Sequence, residues 1–383
     1  MRHADVLVVG LGAMGSATLY NLASRGVNVV GIDSNDPPHS LGSTHGRSRI
    51  IREAYFEHPS YVPLVRRAYE NWVALERASG ETLFRRTGGL MVGPPDSVLV
   101  TGTLASASAH GIDVETLSSA QIVERFPAFR PEHEMIGVFE RNAGMLFPEA
   151  CVRAYLRLAS ASGAEVHTNT RVLSLTRVDG HVSVETSDGV ITARRVVVAA
   201  GAWTSALVEP LGFEVPLTIE RQTMHWLEPV ADSALLGPER FPVAIFEYAP
   251  GRMFYTMPNL GDGVKAAIHY EGDVTTAESV EREVAERDTA PVLALARRFI
   301  PPAAGRIRET AVCMYTNTPD LHFVIDTMTD APEVVLLSAC SGHGFKFASA
   351  IGEAVAQLAL GENVDADLSH FRVDRWNVLD PAP

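Results

Sequence analysis

Cysteine is scarce in this chain: Cys151, Cys313 and Cys340 are the only three in 383 residues. An odd, low count builds no disulfide framework, and without a CxxC pair a structural zinc site is not expected. That usage suits a reducing cytosol and leaves room for one thiol with a chemical task. Positive charge is also short: 32 Lys and Arg against 46 Asp and Glu give a net −14. Such a surface repels phosphate backbones and anionic lipid, so neither nucleic acid nor a membrane is an expected partner. A small anionic substrate stays compatible, because cations inside a cleft outweigh distant surface charge. No run approaches the roughly 18 uninterrupted apolar residues of a membrane span, and the apolar start is too short for a secretory segment. Repeats and low-complexity tracts are missing. What remains is a globular composition, 46% hydrophobic and 20% charged. At this length two closely packed domains are expected.

The N-terminus carries the first specific signal. Asp5 to Val9 reads as a buried parallel strand, and Gly10-Leu11-Gly12-Ala13-Met14-Gly15 follows it. Ser16 to Arg25 has helical spacing, Gly26 stops it, and Val27 to Ile32 forms a second strand ending at Asp33. This is a βαβ unit of about 30 residues with a GxGxxG turn and an acid near the expected offset. Gly10 permits the tight turn, Gly12 lets backbone approach a pyrophosphate, and Gly15 lets helix and strand pack closely. The helix N-terminus offers free N–H groups to phosphates, and Asp33 can accept from ribose hydroxyls. The unit does not choose between FAD and NAD, although Asp33 disfavours NADP.

Further along, Leu41 to Glu53 packs His45, Arg47, Arg49 and Arg52 into a short stretch of an acidic protein. A surface arginine cluster is one reading of it. Tyr61 to Glu76 and Ala150 to Ala161 have helical spacing. Arg195 to Ala200 is an apolar strand running into Gly201-Ala202-Trp203. It is either an interior strand with a turn or a strand whose small residues let a cofactor lie close. Met253 to Met257 and Lys265 to Tyr270 alternate, which suggests an antiparallel sheet in a second domain. Val334 to Leu337, a glycine-rich turn and a helix from Phe347 to Leu360 suit a return to the nucleotide domain, which would then be discontinuous. The expected fold class is α/β with an α+β second domain. Residues 1–80, 150–215 and 320–383 would form a Rossmann-like FAD-binding domain, and residues 81–149 and 216–319 an antiparallel-sheet substrate domain.

Taken in order, GLGAMG, DSNDPPHSLGSTHGRSRIIR, VVVAAGAW, GVKAAIHYEG, CMYTNTPDLHFVID and SGHGFKF resemble one family. It is the monomeric sarcosine oxidase and N-methyltryptophan oxidase group of the D-amino-acid-oxidase-like flavoproteins. The resemblance covers nearly the whole chain and implies FAD as cofactor. It implies that Cys313 carries the flavin as an 8α thioether, where the residue alone would read as a small buried hydrophobe. Cys151 and Cys340 match no such motif. Lys265 matches the lysine that promotes reaction with oxygen, where a lysine in an alternating strand would ordinarily be solvated. Arg52 and Lys346 match the pair that binds the substrate carboxylate, as fork and point charge. His45 and Arg49 match residues near the other face of the ring. His269 and Tyr315 match residues that shape the amine site. His269 lies four residues from Lys265, on the same strand face. Phe254 stands where sarcosine oxidases carry a tyrosine, with Tyr255 beside it, so the pocket would lack a hydroxyl there. Ala13, Met14, Ser34, Ser43, Thr44, Val172, Gly201, Trp203, Gly342, Gly344 and Phe345 complete the implied FAD contacts.

The resemblance thus implies an oxidase of secondary, N-methyl amino acids. The amine becomes an imine, O2 becomes hydrogen peroxide, and N-methyl substrates release formaldehyde. It also implies a monomer; a cytoplasmic location and the lack of a metal site are expected from the cysteine usage. N-methyltryptophan, a cyclic imino acid (proline or pipecolate) or a fructosyl amino acid would use the same machinery. A dehydrogenase with a non-oxygen acceptor and a non-catalytic FAD-binding protein are the rival classes.

Overall fold

The computed structural model describes residues 2–230, 233–328 and 330–378. Its eight-stranded sheet is centred on five parallel strands, in the order Glu165–His167, Val29–Ile32, Arg2–Val9, Gly189–Val198 and Ala331–Ser338. Val6 and Val8 face one apolar cluster, and Leu7 and Val9 face another. Burial on both faces explains why the first strand reads as an apolar run rather than an alternation. The helix Ala13–Ala23 begins as soon as Gly12 has taken the N-cap position, three residues before the expected Ser16. It packs between Pro148–Ala161 and the last helix, Ala348–Leu360.

The second sheet has nine strands. The two alternating segments are Arg252–Met257 and Val264–His269, antiparallel with Met257 opposite Lys265 and Met253 opposite His269. One pair departs from the antiparallel pattern: Gly89–Gly93 runs parallel to Val243–Ala249. The chain between them crosses the first sheet, so no hairpin dictates their direction. Val264 and Ala266 enter an apolar core shared with the helix Glu286–Phe299. Alternation therefore turns Lys265 and His269 to the opposite face. A small sheet of Arg49–Ile51, Gly144–Leu146 and Phe84–Arg86 carries Arg49 at its start. Among the described residues no helix is long and apolar enough to cross a membrane.

Candidate active site

A cavity of about 790 Å³ runs from the C-terminal ends of the parallel strands onto the second sheet. Its size and its place at the strand ends suit a bound cofactor with substrate beside it. At one end lies the glycine turn. Gly10 has φ +89, and a Cβ there would stand 2.5 Å from the Ala199 carbonyl oxygen; at Gly15 it would stand 1.8 Å from the Gly10 oxygen. These two glycines are needed for packing, and Gly15 lies beneath the cavity wall rather than on it. At Gly12 a Cβ would meet only Thr44 Oγ1, at 3.3 Å, so this residue's open side faces the cavity with Ala13 and Met14. The Ala13 N–H donates to Thr44 Oγ1 (3.2 Å), and the first helical turn holds no acid to repel an anion. The Asp33 carboxylate accepts from the N–H groups of Leu11 (2.7 Å) and Asn35 (2.9 Å) and still reaches the wall. Ser34, Ser43, Val172, Gly201 and Trp203 line the same stretch, and so do Ala199 and Ala200. The Gly189–Val198 strand thus ends at the cavity. An open glycine, an acid-free helix start and a carboxylate on the cavity wall fit a dinucleotide.

Further in, the Gly46–Ser48 turn covers Lys265. The Lys265 Nζ donates to the Gly46 (2.7 Å) and Ser48 (2.9 Å) carbonyls and is 2% exposed. Burial, reinforced by Arg49, holds its pKa well below the usual lysine value. Arg49 lines the cavity and donates to the Ser43 and Ser48 carbonyls, both at 2.9 Å. Its Nη2 lies 3.8 Å from the Cys313 Sγ, which also faces the cavity. Burial pushes the thiol pKa up, while Arg49 works against that. His45 is buried beside this group, its Nε2 without a partner. Burial, with Arg49 and Lys265, lowers its pKa to about 4. Arg47 points outward, to Asp262 (3.0 Å) and Glu309. The arginine-rich stretch therefore divides, with Arg47 on the surface and Arg49 and Arg52 inside.

At the other end Arg52 is 2% exposed, between the rings of Tyr55 (4.4 Å) and Phe56 (4.5 Å). It donates to Glu57 Oε2 (2.6 Å) and the Ala54 carbonyl (2.9 Å), while its Nε is buried without a partner. The Glu57 pKa is lowered to about 2: burial opposes ionisation, but Arg52, His343 and Lys346 outweigh it. Lys346 donates to the His343 carbonyl (2.7 Å) and the Tyr55 hydroxyl (3.4 Å). Burial and Arg52 bring its pKa down to about 7, against Glu57. Trp72 Nε1 holds the Lys346 carbonyl (2.8 Å), and its ring stacks on Phe345, so the helix Tyr61–Ser79 fixes this turn. Gly342 and Gly344 complete the wall there. His269 Nδ1 lies 2.9 Å from the Tyr315 hydroxyl, and burial lowers the imidazole pKa to about 3, so it is neutral.

Phe254 is not a pocket residue. It is fully buried in the apolar core, 6.3 Å from the Phe246 ring, while Met253, Tyr255 and Met257 line the cavity. On this strand Tyr255, not Phe254, faces the cavity. Cys151 sits in the core, but Cys340 also reaches the cavity wall and accepts the Thr316 N–H (3.4 Å). Glu57, His343 and Tyr255 on the cavity wall, with Tyr55 packed behind it against Arg52, join the candidate site without having been singled out in the sequence. One sequence signal was available for the cations: Lys265 and Lys346 are the only lysines among 32 basic residues. Among the described residues no cluster of three His, Cys, Asp or Glu could hold a metal.

The FAD dependent oxidoreductase family (DAO) matches residues 5–358. The monomeric sarcosine oxidase of Streptomyces avermitilis is 41% identical over 361 residues, covering 93% of both chains. That of a Bacillus species is 39% identical, over 97% of this chain and 96% of its own. The N-methyl-L-tryptophan oxidase of Salmonella newport is 34% identical, over 97% and 99%. Among solved structures, NikD, an unusual amino acid oxidase essential for nikkomycin biosynthesis, superposes with TM-score 0.85 at 25% identity, over 97% of this chain and 98% of its own. The L-proline dehydrogenase of P. horikoshii gives TM-score 0.86 at 21% identity over 98% of each chain, a likeness of fold alone.

Proposed function

Because the chain belongs to the FAD-dependent oxidoreductase (DAO) family, we propose that it is an FAD-dependent oxidase of secondary, N-methyl amino acids. The observation that carries this reading is Arg52: a buried guanidinium on the cavity wall whose Nε–H lacks an acceptor. A substrate carboxylate supplies that acceptor, and Lys346 adds its charge from the neighbouring turn. The amine is then oriented by His269, Tyr255 and Tyr315. Arg49, Arg52 and Lys346 around one low-dielectric cavity disfavour a protonated amine, so it binds as the free base. Neutral His269 is suited to accept its N–H, and no separate strong base is required. FAD, when bound, accepts two electrons from the substrate C–N unit and passes them to oxygen, giving an imine and hydrogen peroxide. Lys265, buried behind the cavity wall, provides in its protonated form the positive charge that stabilises negative charge developing on oxygen. Cys313 is the proposed point of covalent attachment, with Arg49 favouring its thiolate. The Gly12 turn, Asp33 and the Gly201–Trp203 turn hold the dinucleotide, in an FAD-binding part made of residues 1–80, 150–215 and 320–383. Residues 81–149 and 216–319 supply the substrate part. The word monomeric in the relatives' names supports a monomer; a cytoplasmic location completes the proposal.

The test is steady-state turnover of sarcosine, N-methyltryptophan and proline in air, with peroxide and formaldehyde measured separately. Sarcosine or N-methyltryptophan should give both in equal amounts. Peroxide without formaldehyde, from proline alone, would replace the N-methyl reading. Dye reduction without peroxide would make the protein a dehydrogenase.

A further inference from the structure

The turn over Lys265 is held from outside. Gly46 has φ +97, and Arg47, a non-glycine residue, has φ +66. In this conformation the N–H groups of both residues point to one oxygen, Glu149 Oε1, at 2.8 and 3.0 Å. The carbonyls of Gly46 and Ser48 point the other way, onto the Lys265 Nζ, at 2.7 and 2.9 Å. Glu149 belongs to the first turn of the helix Pro148–Ala161, whose N-terminal end favours a carboxylate. Like Lys265 it is absent from the cavity wall, and no role in the chemistry described above falls to it.

We propose that Glu149 is a positioning residue for Lys265: by anchoring the Gly46 and Arg47 amides it turns two carbonyls onto the ammonium. This rests on the reading of Lys265 as the cation that serves oxygen. In that half-reaction O2 takes two electrons from reduced FAD and two protons, and leaves as hydrogen peroxide; Lys265 starts and ends it in the same state. The ammonium lies where burial and Arg49 both work against its charge. Glu149 and Asp262 are the carboxylates that favour the charge, and the Trp226 ring lies 5.7 Å away. The acid therefore acts twice, through the turn and through its own charge. Glu149 itself stays ionised: burial opposes this, but the Arg47 and Gly46 amides and Arg49 prevail.

Two lysines make the test direct. Enzyme loaded with FAD and labelled with ¹³C at lysine Cε gives one signal each for Lys265 and Lys346. Glu149→Gln keeps an accepting oxygen and removes the charge; Glu149→Ala removes both. The Lys265 titration midpoint should fall in Glu149→Gln and fall further in Glu149→Ala, by about one pH unit or more, with Lys346 unmoved. Hydrogen exchange at the Gly46 and Arg47 amides should quicken in Glu149→Ala. Flavin reoxidation should slow about tenfold or more, while anaerobic reduction by substrate stays within about twofold. An unchanged Lys265 midpoint overturns the proposal, as does an equal shift of both lysines, which marks general loosening. If Glu149→Ala does not fold, the near-isosteric Glu149→Gln decides by its midpoint. Lys265→Met tests the oxygen reading separately: reoxidation at the parental rate would remove that reading, while the titration still judges the link from Glu149 to Lys265.

Discussion

Replacing Arg52 by methionine perturbs two things that can be separated. The guanidinium is 2% exposed and holds Glu57 at 2.6 Å. Without it, Glu57, whose side chain is 16% exposed on the cavity wall, loses the first of the groups (Arg52, His343 and Lys346) that keep its pKa near 2. Removing one partner of a buried pair costs about 3–5 kcal/mol, and the lower end applies to a carboxylate that keeps some contact with water; the loss is read from urea unfolding followed by far-UV circular dichroism. Arg52→Met with Glu57→Gln removes the orphan charge too and should recover most of that loss. Catalysis should not recover. A substrate carboxylate would lose charge-assisted bonds of about 1.5–3 kcal/mol each, so kcat/KM should drop by about a hundredfold in both variants, measured by coupled peroxide release. A double variant as unstable as the single one would show that the orphaned Glu57 is not the source of the loss. A double variant with parental kcat/KM would show that Arg52 serves only to neutralise Glu57.

In the ligand-free enzyme Lys346 loses its proton near pH 7. The protonated form binds anions better, so the Kd of an amine-free carboxylate such as propionate should rise as pH increases above about 7. Lys346→Met should flatten that slope, and a flat profile in the parent enzyme would contradict the placement. Phe254→Tyr would bury a hydroxyl beside Phe246, costing about 1–3 kcal/mol of stability with kcat/KM nearly unchanged. An altered substrate preference would return Phe254 to the pocket. With Cys313→Ser, acid precipitation should release the yellow colour that stays with the parent chain; colour released equally from both would exclude the covalent link.

The nucleotide turn was legible because its information is local: Gly10, Gly12, Gly15 and Asp33 act within one βαβ unit. The last helix and the strand before it were legible for the same reason. Phe254 was placed in the pocket by the family resemblance, which does not report strand parity. Neighbouring residues of a strand face opposite ways: Met253, Tyr255 and Met257 line the cavity, and Phe254 enters the core. Glu57 carried no signal of its own, since its role exists only against Arg52 and Lys346 across the fold. The same holds for Tyr55 and His343, in contact across 288 residues of sequence. Cys340 matched no motif, yet the turn before Gly342 sets it in the wall.

Oxidation of an N-methyl amino acid at a flavin held in this cavity can be watched by mixing the FAD-loaded enzyme with sarcosine or N-methyltryptophan without oxygen and following the flavin absorbance. Bleaching by one of them is expected, with full recovery of colour and one equivalent of peroxide when oxygen is admitted. A flavin that stays oxidised with both substrates would contradict the proposed function.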